Sequence, residues 1–308
     1  MTSPDPSPSV TATDRPTSVA VLGLGAMGSR MAARAAAAGH RVAVWNRTPD
    51  AARRLADQAP VVVADEARAA VVGADVVVAM VADDEASQSL WLDADTGVLD
   101  ALEPHAVAVE SSTLSPSWIG SLAERCAARE RPFVEAPVVG SRPQAEAGAL
   151  VVLAGAEPGA LDRVRPVLST WASAVRHLGA PGAGAEAKLA VNGLFATQVA
   201  AYAEMLGFLG RSGMPTEDAA GFLAALPITS PALERILGLV AADDLNPNFP
   251  VRLVAKDLAY LVAAADERGA ELPTATAARD VFAAGAAGAE ADLDIAGISR
   301  RYLPPPTA

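Results

Sequence analysis

The stretch Ser18-Val19-Ala20-Val21-Leu22-Gly23-Leu24-Gly25-Ala26-Met27-Gly28 decides the architecture. Five residues fit for a strand run straight into G-x-G-x-x-G, and the alanine-rich segment Met27 to Ala38 that follows has the character of a helix. Arg41 to Trp45 then alternates into a second strand, so the whole reads as a β-α-β unit. Gly23 permits a tight turn, Gly25 lets a pyrophosphate approach the backbone, and Gly28 packs the helix on the strand. Together with Ala26 and Met27 these residues form a turn where the free N–H groups of a helix start meet negative charge. A bare match to this pattern is weak. Between a strand and a helix it predicts a dinucleotide-binding turn.

The second strand ends at Trp45-Asn46-Arg47-Thr48. A site that prefers NAD places Asp or Glu about 20 residues beyond the glycines, to hold the ribose 2′-hydroxyl. Here that place falls to the uncharged Asn46, followed by Arg47 and Thr48, a cation and a hydroxyl where a 2′-phosphate would lie. The turn is read as an NADP(H) site, against the plainer reading of a solvated arginine in an Asn-Arg-Thr-Pro turn.

Further apolar runs follow at Val61 to Val63, Val76 to Met80, Ala106 to Glu110, Phe133 to Ala136, Leu150 to Ala154 and Ala174 to His177, most of them separated by helix-like stretches. This alternation predicts an α/β fold, a Rossmann-type and mainly parallel sheet with helices on both faces, over residues 17–183. After Gly184 the β-branched runs give way to Ala, Leu and Gly at helical spacing, which predicts a second, all-helical unit over 184–303. Its first helix, Ala185 to Arg211, has about 27 residues and a length of roughly 40 Å, and is expected to join the two units. Such a spine can also pack against another subunit, so a homodimer is expected. Shorter helices are predicted over Thr216 to Ala225, Pro231 to Ala241, Val251 to Arg268, Thr274 to Ala287 and Asp294 to Tyr302. Residues 1–16, with four prolines and no apolar periodicity, read as a disordered tail.

The chain has 308 residues, 24 basic against 36 acidic, and a net charge of −12. Its field should repel a phosphate backbone, so nucleic acid is not an expected partner. No run of about 18 uncharged apolar residues occurs, so no membrane span is expected. The single cysteine, Cys126, cannot form an internal disulfide, and no basic region precedes an apolar core near the first residues, so a cytoplasmic location is expected. Of the 24 basic residues only Lys188 and Lys256 are lysine. A position that needs a titratable ammonium is one that arginine cannot fill. Lys188 and Asn192 lie four apart and so share a helical face, where an unpaired ammonium would be costly. Spacing alone leaves two readings open, a functional pair or a salt bridge from Lys188 to a nearby carboxylate such as Glu186.

The chain resembles the β-hydroxyacid dehydrogenases, the group of 3-hydroxyisobutyrate dehydrogenase and the glyoxylate and succinic semialdehyde reductases, related to 6-phosphogluconate dehydrogenase. Gly23 to Gly28 with Gly39-His40 and Trp45 to Thr48 resembles the family's cofactor half. Ser112-Thr113-Leu114-Ser115-Pro116 is similar to its S-T-x-S-P loop, and Glu135-Ala136-Pro137-Val138-Val139-Gly140-Ser141 to its substrate loop. Gly184-x-x-x-Lys188-x-x-x-Asn192, and Phe249 through Lys256-Asp257-Leu258, complete five motifs in order. The resemblance implies that Lys188 is the catalytic acid/base with Asn192 beside the substrate. It implies that Thr113 and Lys256 touch the cofactor, and that Ser112, Val139, Gly140 and Ser141 lie at the substrate. Two positions depart from the family pattern, Val139 where serine is usual and Val191 where asparagine is usual. The first removes a hydroxyl from the loop that grips the substrate carboxylate.

The reading that follows is an NADP(H)-dependent oxidoreductase interconverting a small aldehyde or keto acid with its hydroxy acid. The alternatives are an NADPH-dependent imine reductase or reductive aminase, whose members share the opening motif but generally lack a lysine at position 188, and a non-catalytic NADP-binding protein. His40, His105 and His177 are far apart in the chain and read as surface or turn residues, so no metal is expected. Ser111, Ser112 and Ser115 lack a G-x-S-x-G elbow, Cys126 reads as packing, and Tyr202 and Tyr260 read as core residues.

Overall fold

The computed structural model describes residues 16–304; positions 1–15 of the expected tail, and Pro305 and Pro306 at the other end, lie outside the described residues. Among the described residues nine strands are formed: β1 (Ser18–Leu22), β2 (Arg41–Trp45), β3 (Val61–Val63), β4 (Val76–Ala79), β5 (Val107–Glu110), β6 (Phe133–Glu135), β7 (Val138–Val139), β8 (Leu150–Ala156) and β9 (Ala172–Gly179). The helices are α1 (Gly28–Ala37), α2 (Pro49–Ala56), α3 (Ala67–Val71), α4 (Asp84–Leu92), α5 (Pro116–Ala127), α6 (Arg142–Ala147), α7 (Pro158–Leu168), α8 (Ala183–Arg211), α9 (Thr216–Ala224), α10 (Pro231–Ala241), α11 (Val251–Glu267) and α12 (Pro273–Ala286).

All nine strands join one sheet, in the order β3-β2-β1-β4-β5-β6-β8-β7 with β9 also paired to β8. The strands from β1 to β6 pair in parallel, as crossover helices require, while β6–β8 and β7–β8 are antiparallel. Alternation along β1 shows why both faces must be covered. Val19 and Val21 enter a core with Met31 and Ala35 of α1 and Val164 of α7, whereas Ala20 and Leu22 enter another with Val71 of α3, Trp91 of α4 and Leu122 of α5. Between β1 and β4 the strand order reverses, and such a reversal opens a crevice at the carboxyl ends of the strands.

The helices from α8 onward form a third core around Leu206, Ile236, Leu258 and Phe282. Helix α8 starts at Ala183, two residues before the expected Ala185, because a distant carboxylate caps its first turn. The expected helix from Asp294 to Tyr302 is a 3-10 segment, Ile295–Arg301, whose start is fixed by the Asp294 carboxylate accepting from Ala296 N–H. Strand β7 was not expected; at two residues, just after Pro137, it is too short for a periodic signal.

Candidate active site

The strands β1, β2, β5 and β6 run parallel, so the segments that follow them, at Gly23, Asn46, Ser111 and Ala136, emerge along one edge of the sheet. Gly23 has φ +96°, and a Cβ there would overlap the Met80 carbonyl oxygen; a Cβ on Gly28 would overlap the Gly23 carbonyl. Gly25 differs, since a Cβ there would meet nothing within 4 Å. Close packing therefore demands the first and third glycines, and the second faces open space at the start of α1. That is the shape a pyrophosphate needs, and Ala26 and Met27 lie in this turn just ahead of Gly28, where a helix has free N–H groups. Asn46 splints the turn: its Oδ1 accepts from Leu24 N–H at 2.8 Å, and its Nδ2 donates to the carbonyl and the hydroxyl oxygens of Thr48, both at 2.9 Å. Arg47 and Thr48 are exposed beside it.

The loop after β5 rests on a buried acid that sequence reading missed. Glu110 accepts from Ser87 Oγ at 2.7 Å, Trp91 Nε1 at 2.9 Å and Ser112 N–H at 3.0 Å, while burial pushes its carboxyl above the usual range. The Ser112 hydroxyl accepts from Val81 N–H at 2.7 Å, which ties this loop to the end of β4. Helix α11 then closes over the same loops. Lys256 Nζ donates to the Thr113 carbonyl at 2.5 Å, stands 3.1 Å from Asp257 Oδ1 and lies 5.0 Å from the centre of the Tyr260 ring. Tyr260 belongs to this contact rather than to a core, because its hydroxyl accepts from Asp84 N–H at 3.1 Å and burial pushes it up to about 12. Its position one helical turn beyond Lys256 was the available signal.

Lys188 and Asn192 face inward from α8, each 8% exposed. Lys188 Nζ donates to Asn192 Oδ1 at 2.9 Å, and Asn192 Nδ2 donates to Asp257 Oδ2 at 2.6 Å. Glu186, the alternative partner for Lys188, pairs with Arg268 instead. Burial draws the Lys188 ammonium down to about 8; Asp257 opposes the shift and Lys256 assists it. A chain of polar groups thus runs Lys188, Asn192, Asp257, Lys256, Thr113, buried as far as Asp257 and half-buried beyond it. The substrate-type loop sits elsewhere on the edge: Val139 lies in β7, Gly140 has φ +123° with a Cβ position blocked by Leu150 and Gln144, and Ser141 N–H donates to Gln144 Oε1 at 3.0 Å at the start of α6. This loop is rooted at Glu135, whose carboxylate accepts from Gly182, Gly184 and Ala185 at the start of α8. Glu110 and Glu135 share one signal, an acid at the end of an apolar strand run, where burial demands a partner.

Tyr202 bonds to Thr229 at 2.7 Å among the helices, and Cys126 is fully buried with its thiol pushed up to about 12. Among the described residues no group of His, Cys, Asp and Glu is placed to hold a metal ion, and no helix is long and apolar enough to cross a membrane.

A glycine-rich turn at the strand-order reversal, with a buried lysine presented by a helix of a second unit, is the arrangement of an NAD(P)-dependent oxidoreductase. Residues 18–179 match the family model for the NAD binding domain of 6-phosphogluconate dehydrogenase, and residues 182–302 match that for the NAD-binding region of NADP-dependent 3-hydroxyisobutyrate dehydrogenase. The chain belongs to the β-hydroxyacid dehydrogenase family. It is 33% identical over 295 residues to 3-hydroxyisobutyrate dehydrogenase of Pseudomonas aeruginosa, covering 93% of this chain and 98% of the relative. The structure of Mycobacterium tuberculosis 3-hydroxyisobutyrate dehydrogenase with L-serine superposes with a TM-score of 0.82 at 31% identity, over 93% of this chain and 99% of the other. An imine reductase from Pseudomonas sp. shares the fold, with a TM-score of 0.60 and 22% identity over 93% of this chain and 99% of its own.

Proposed function

We propose that the chain is an NADP(H)-dependent oxidoreductase that interconverts a small, carboxylate-bearing aldehyde or ketone with its hydroxy acid, with Lys188 as general acid/base. The observation that carries this reading is the buried Lys188 ammonium, drawn down to about 8 and held against Asn192. A general acid works best with a pKa near the operating pH. The open face at Gly25 fits a dinucleotide, and Gly23, Gly25, Ala26, Met27, Gly28, Asn46, Arg47, Thr48, Thr113 and Lys256 would hold it. When bound, that cofactor gives or accepts the hydride at the carbonyl carbon.

Lys188 stabilises the negative charge that develops on the substrate oxygen and delivers its proton there; in the reverse direction the neutral amine takes the proton from the alcohol. Asn192 holds the ammonium by its Oδ1 and is itself fixed by Asp257 through its Nδ2, so the amide is held on both sides and sets the direction of the ammonium. Ser112, Val139, Gly140 and Ser141 form the substrate end, where Val139 supplies no hydroxyl and favours a less polar substituent beside the carboxylate. Arg47 and Thr48 favour NADP(H), because a guanidinium and a hydroxyl suit a 2′-phosphate.

We further propose two working units, a dinucleotide-binding one over 17–183 and an all-helical substrate and dimerisation one over 184–303, in a cytoplasmic homodimer. The support for the dimer is an exposed apolar set in the helical part, with Leu194 63% and Phe208 65% exposed on α8, Phe222 53% on α9 and Ile228 80% in the turn that follows it. Light scattering should give twice the 31.2 kDa chain mass, and a monomer at micromolar concentration would reject it. The function is tested by following NADPH and NADH oxidation over glyoxylate, succinic semialdehyde, methylmalonate semialdehyde, cyclic imines and ketone-plus-amine pairs. Turnover of a carbonyl acid is expected. Turnover of imines alone, or cofactor binding without any turnover, overturns the reading.

A further inference from the structure

Helix α8 carries both members of the proposed acid/base pair, yet its own N-cap residue is Gly182, which has no side chain to offer the free N–H groups of the first turn. The missing acceptor comes from another strand. Glu135, the last residue of β6 and fully buried, places Oε1 at 2.8 Å from Gly182 N and 2.6 Å from Gly184 N, and Oε2 at 3.2 Å from Ala185 N. Two glycines make room for it. A Cβ on Gly155 of β8 would overlap Oε1, and one on Gly184 would overlap the Leu153 carbonyl and crowd the same carboxylate. Gly184, Lys188 and Asn192 are spaced by four and share one face of α8, so the surface docked on Glu135 continues directly into the Lys188–Asn192 pair. In the other direction along the chain, Glu135 is joined by one peptide bond to Ala136, the first residue of the loop that ends at Gly140 and Ser141. Ala136 N–H donates to the Glu110 carbonyl at 2.7 Å, which fixes the root of that loop to β5.

We propose that Glu135 is a positioning residue for catalysis: its carboxylate docks the first turn of α8 onto β6 and so sets the distance between Lys188 and the substrate loop. The inference rests on the reading of Lys188 as the acid/base. A carboxylate suits this place, since negative charge is favoured at a helix start and one carboxylate can accept from several N–H groups at once. Burial nonetheless pushes Glu135 up to about 7, with the three N–H groups pulling it down and Glu186 on α8 pushing it up.

The test uses the full chain with NADPH and whichever carbonyl acid it turns over, comparing wild type, Glu135→Gln, Gly155→Ala and Lys188→Ala. Glu135→Gln keeps the shape but turns one acceptor into a donor that faces backbone N–H groups. Gly155→Ala leaves the carboxylate intact and pushes it off the helix start, and it is the variant to read if Glu135→Gln does not fold. In either variant kcat should fall by about 10²-fold, the scale of a misplacement near 1 Å, while the NADPH dissociation constant stays within about twofold. A displaced Lys188 gains water, so the alkaline limb of kcat/KM should move upward from about 8, with Asp257 and Lys256 of α11 still facing it. A wild-type kcat and pH profile in the folded variants overturns the inference, and so does a kcat loss matched by an equal loss of NADPH binding. If Lys188→Ala keeps full turnover, the reading of Lys188 falls and carries this inference with it. If Lys188→Ala is inactive while Glu135→Gln matches wild type, only the role of Glu135 falls.

Discussion

Replacing Lys188 with methionine should make the protein more stable while removing its activity. The ammonium lies in the interior and is drawn from 10.5 to about 8, chiefly by burial, so the folded state favours the neutral amine. At about 1.4 kcal/mol per pH unit, the protonated lysine costs the folded state about 3 kcal/mol at neutral pH. Methionine keeps an unbranched stem of similar length and removes the charge, though it leaves Asn192 Oδ1 without its donor, a loss of about 1 kcal/mol. The net gain is about 2 kcal/mol, which corresponds to a rise in Tm of about 3 °C for a chain of this size. The sign fixes the pH window. Below about 8 the lysine is protonated in both folded and unfolded chains and the penalty is complete. Between about 8 and 10.5 the unfolded chain holds a proton that the folded chain has released, so wild-type stability climbs with pH. The advantage of Lys188→Met should therefore shrink across that window. Urea titrations of both proteins at neutral pH and near pH 10, with carbonyl turnover measured alongside, read the effect. A methionine variant that is less stable at neutral pH, or an advantage that does not change with pH, refutes the argument that burial is what tunes Lys188.

Lys188→Arg keeps a positive charge that does not titrate near neutrality, so carbonyl reduction should fall by about 10² to 10⁴-fold with NADPH binding little changed; steady-state kinetics with near-full kcat would reduce Lys188 to a fixed charge. Arg47→Ala should weaken NADPH by about 1.5 to 3 kcal/mol in a binding titration and leave NADH almost unchanged. Equal losses for both cofactors would show that Arg47 does not read the phosphate. Lys256→Ala removes the cation that meets the Thr113 carbonyl and Asp257, and should raise the NADPH dissociation constant more than it lowers kcat at saturation; an effect confined to kcat would place Lys256 with the reacting groups instead.

The elements legible in the sequence are those whose signals are local. The strands β1, β2 and β3 fall where their apolar runs begin and end, because each is a short run bounded by breakers. The glycine-rich turn was legible for the same reason: its constraints act between residues that are neighbours in sequence or on the adjoining strand. What escaped is what depends on partners far along the chain. Glu135 meets Gly182 across 47 residues, Asn192 meets Asp257 across 65, and Tyr260 meets Asp84 across 176. No period or spacing encodes such pairs. Lys188 and Lys256 stood out first because arginine fills every other basic position, and then because Lys188 lies four residues from Asn192 and both lysines fall in motifs similar to the family's.

The sharing of α8 between two cores has a consequence for how the chain folds. Ala185 packs in the core beneath the sheet, while Ala196, Val199, Ala203 and Leu206 of the same helix pack among the helices. A fragment ending at residue 183 would strip the Glu135 carboxylate of the Gly184 and Ala185 N–H groups and of the helix start that covers it, so the end of β6 would lose its packing there. The isolated helical fragment would in turn lose the acceptor that holds its first turn. The border between the sheet and the helices is therefore one of architecture, and unfolding should cross it in a single cooperative step, with hydrogen exchange in the first turns of α8 as slow as in the central strands.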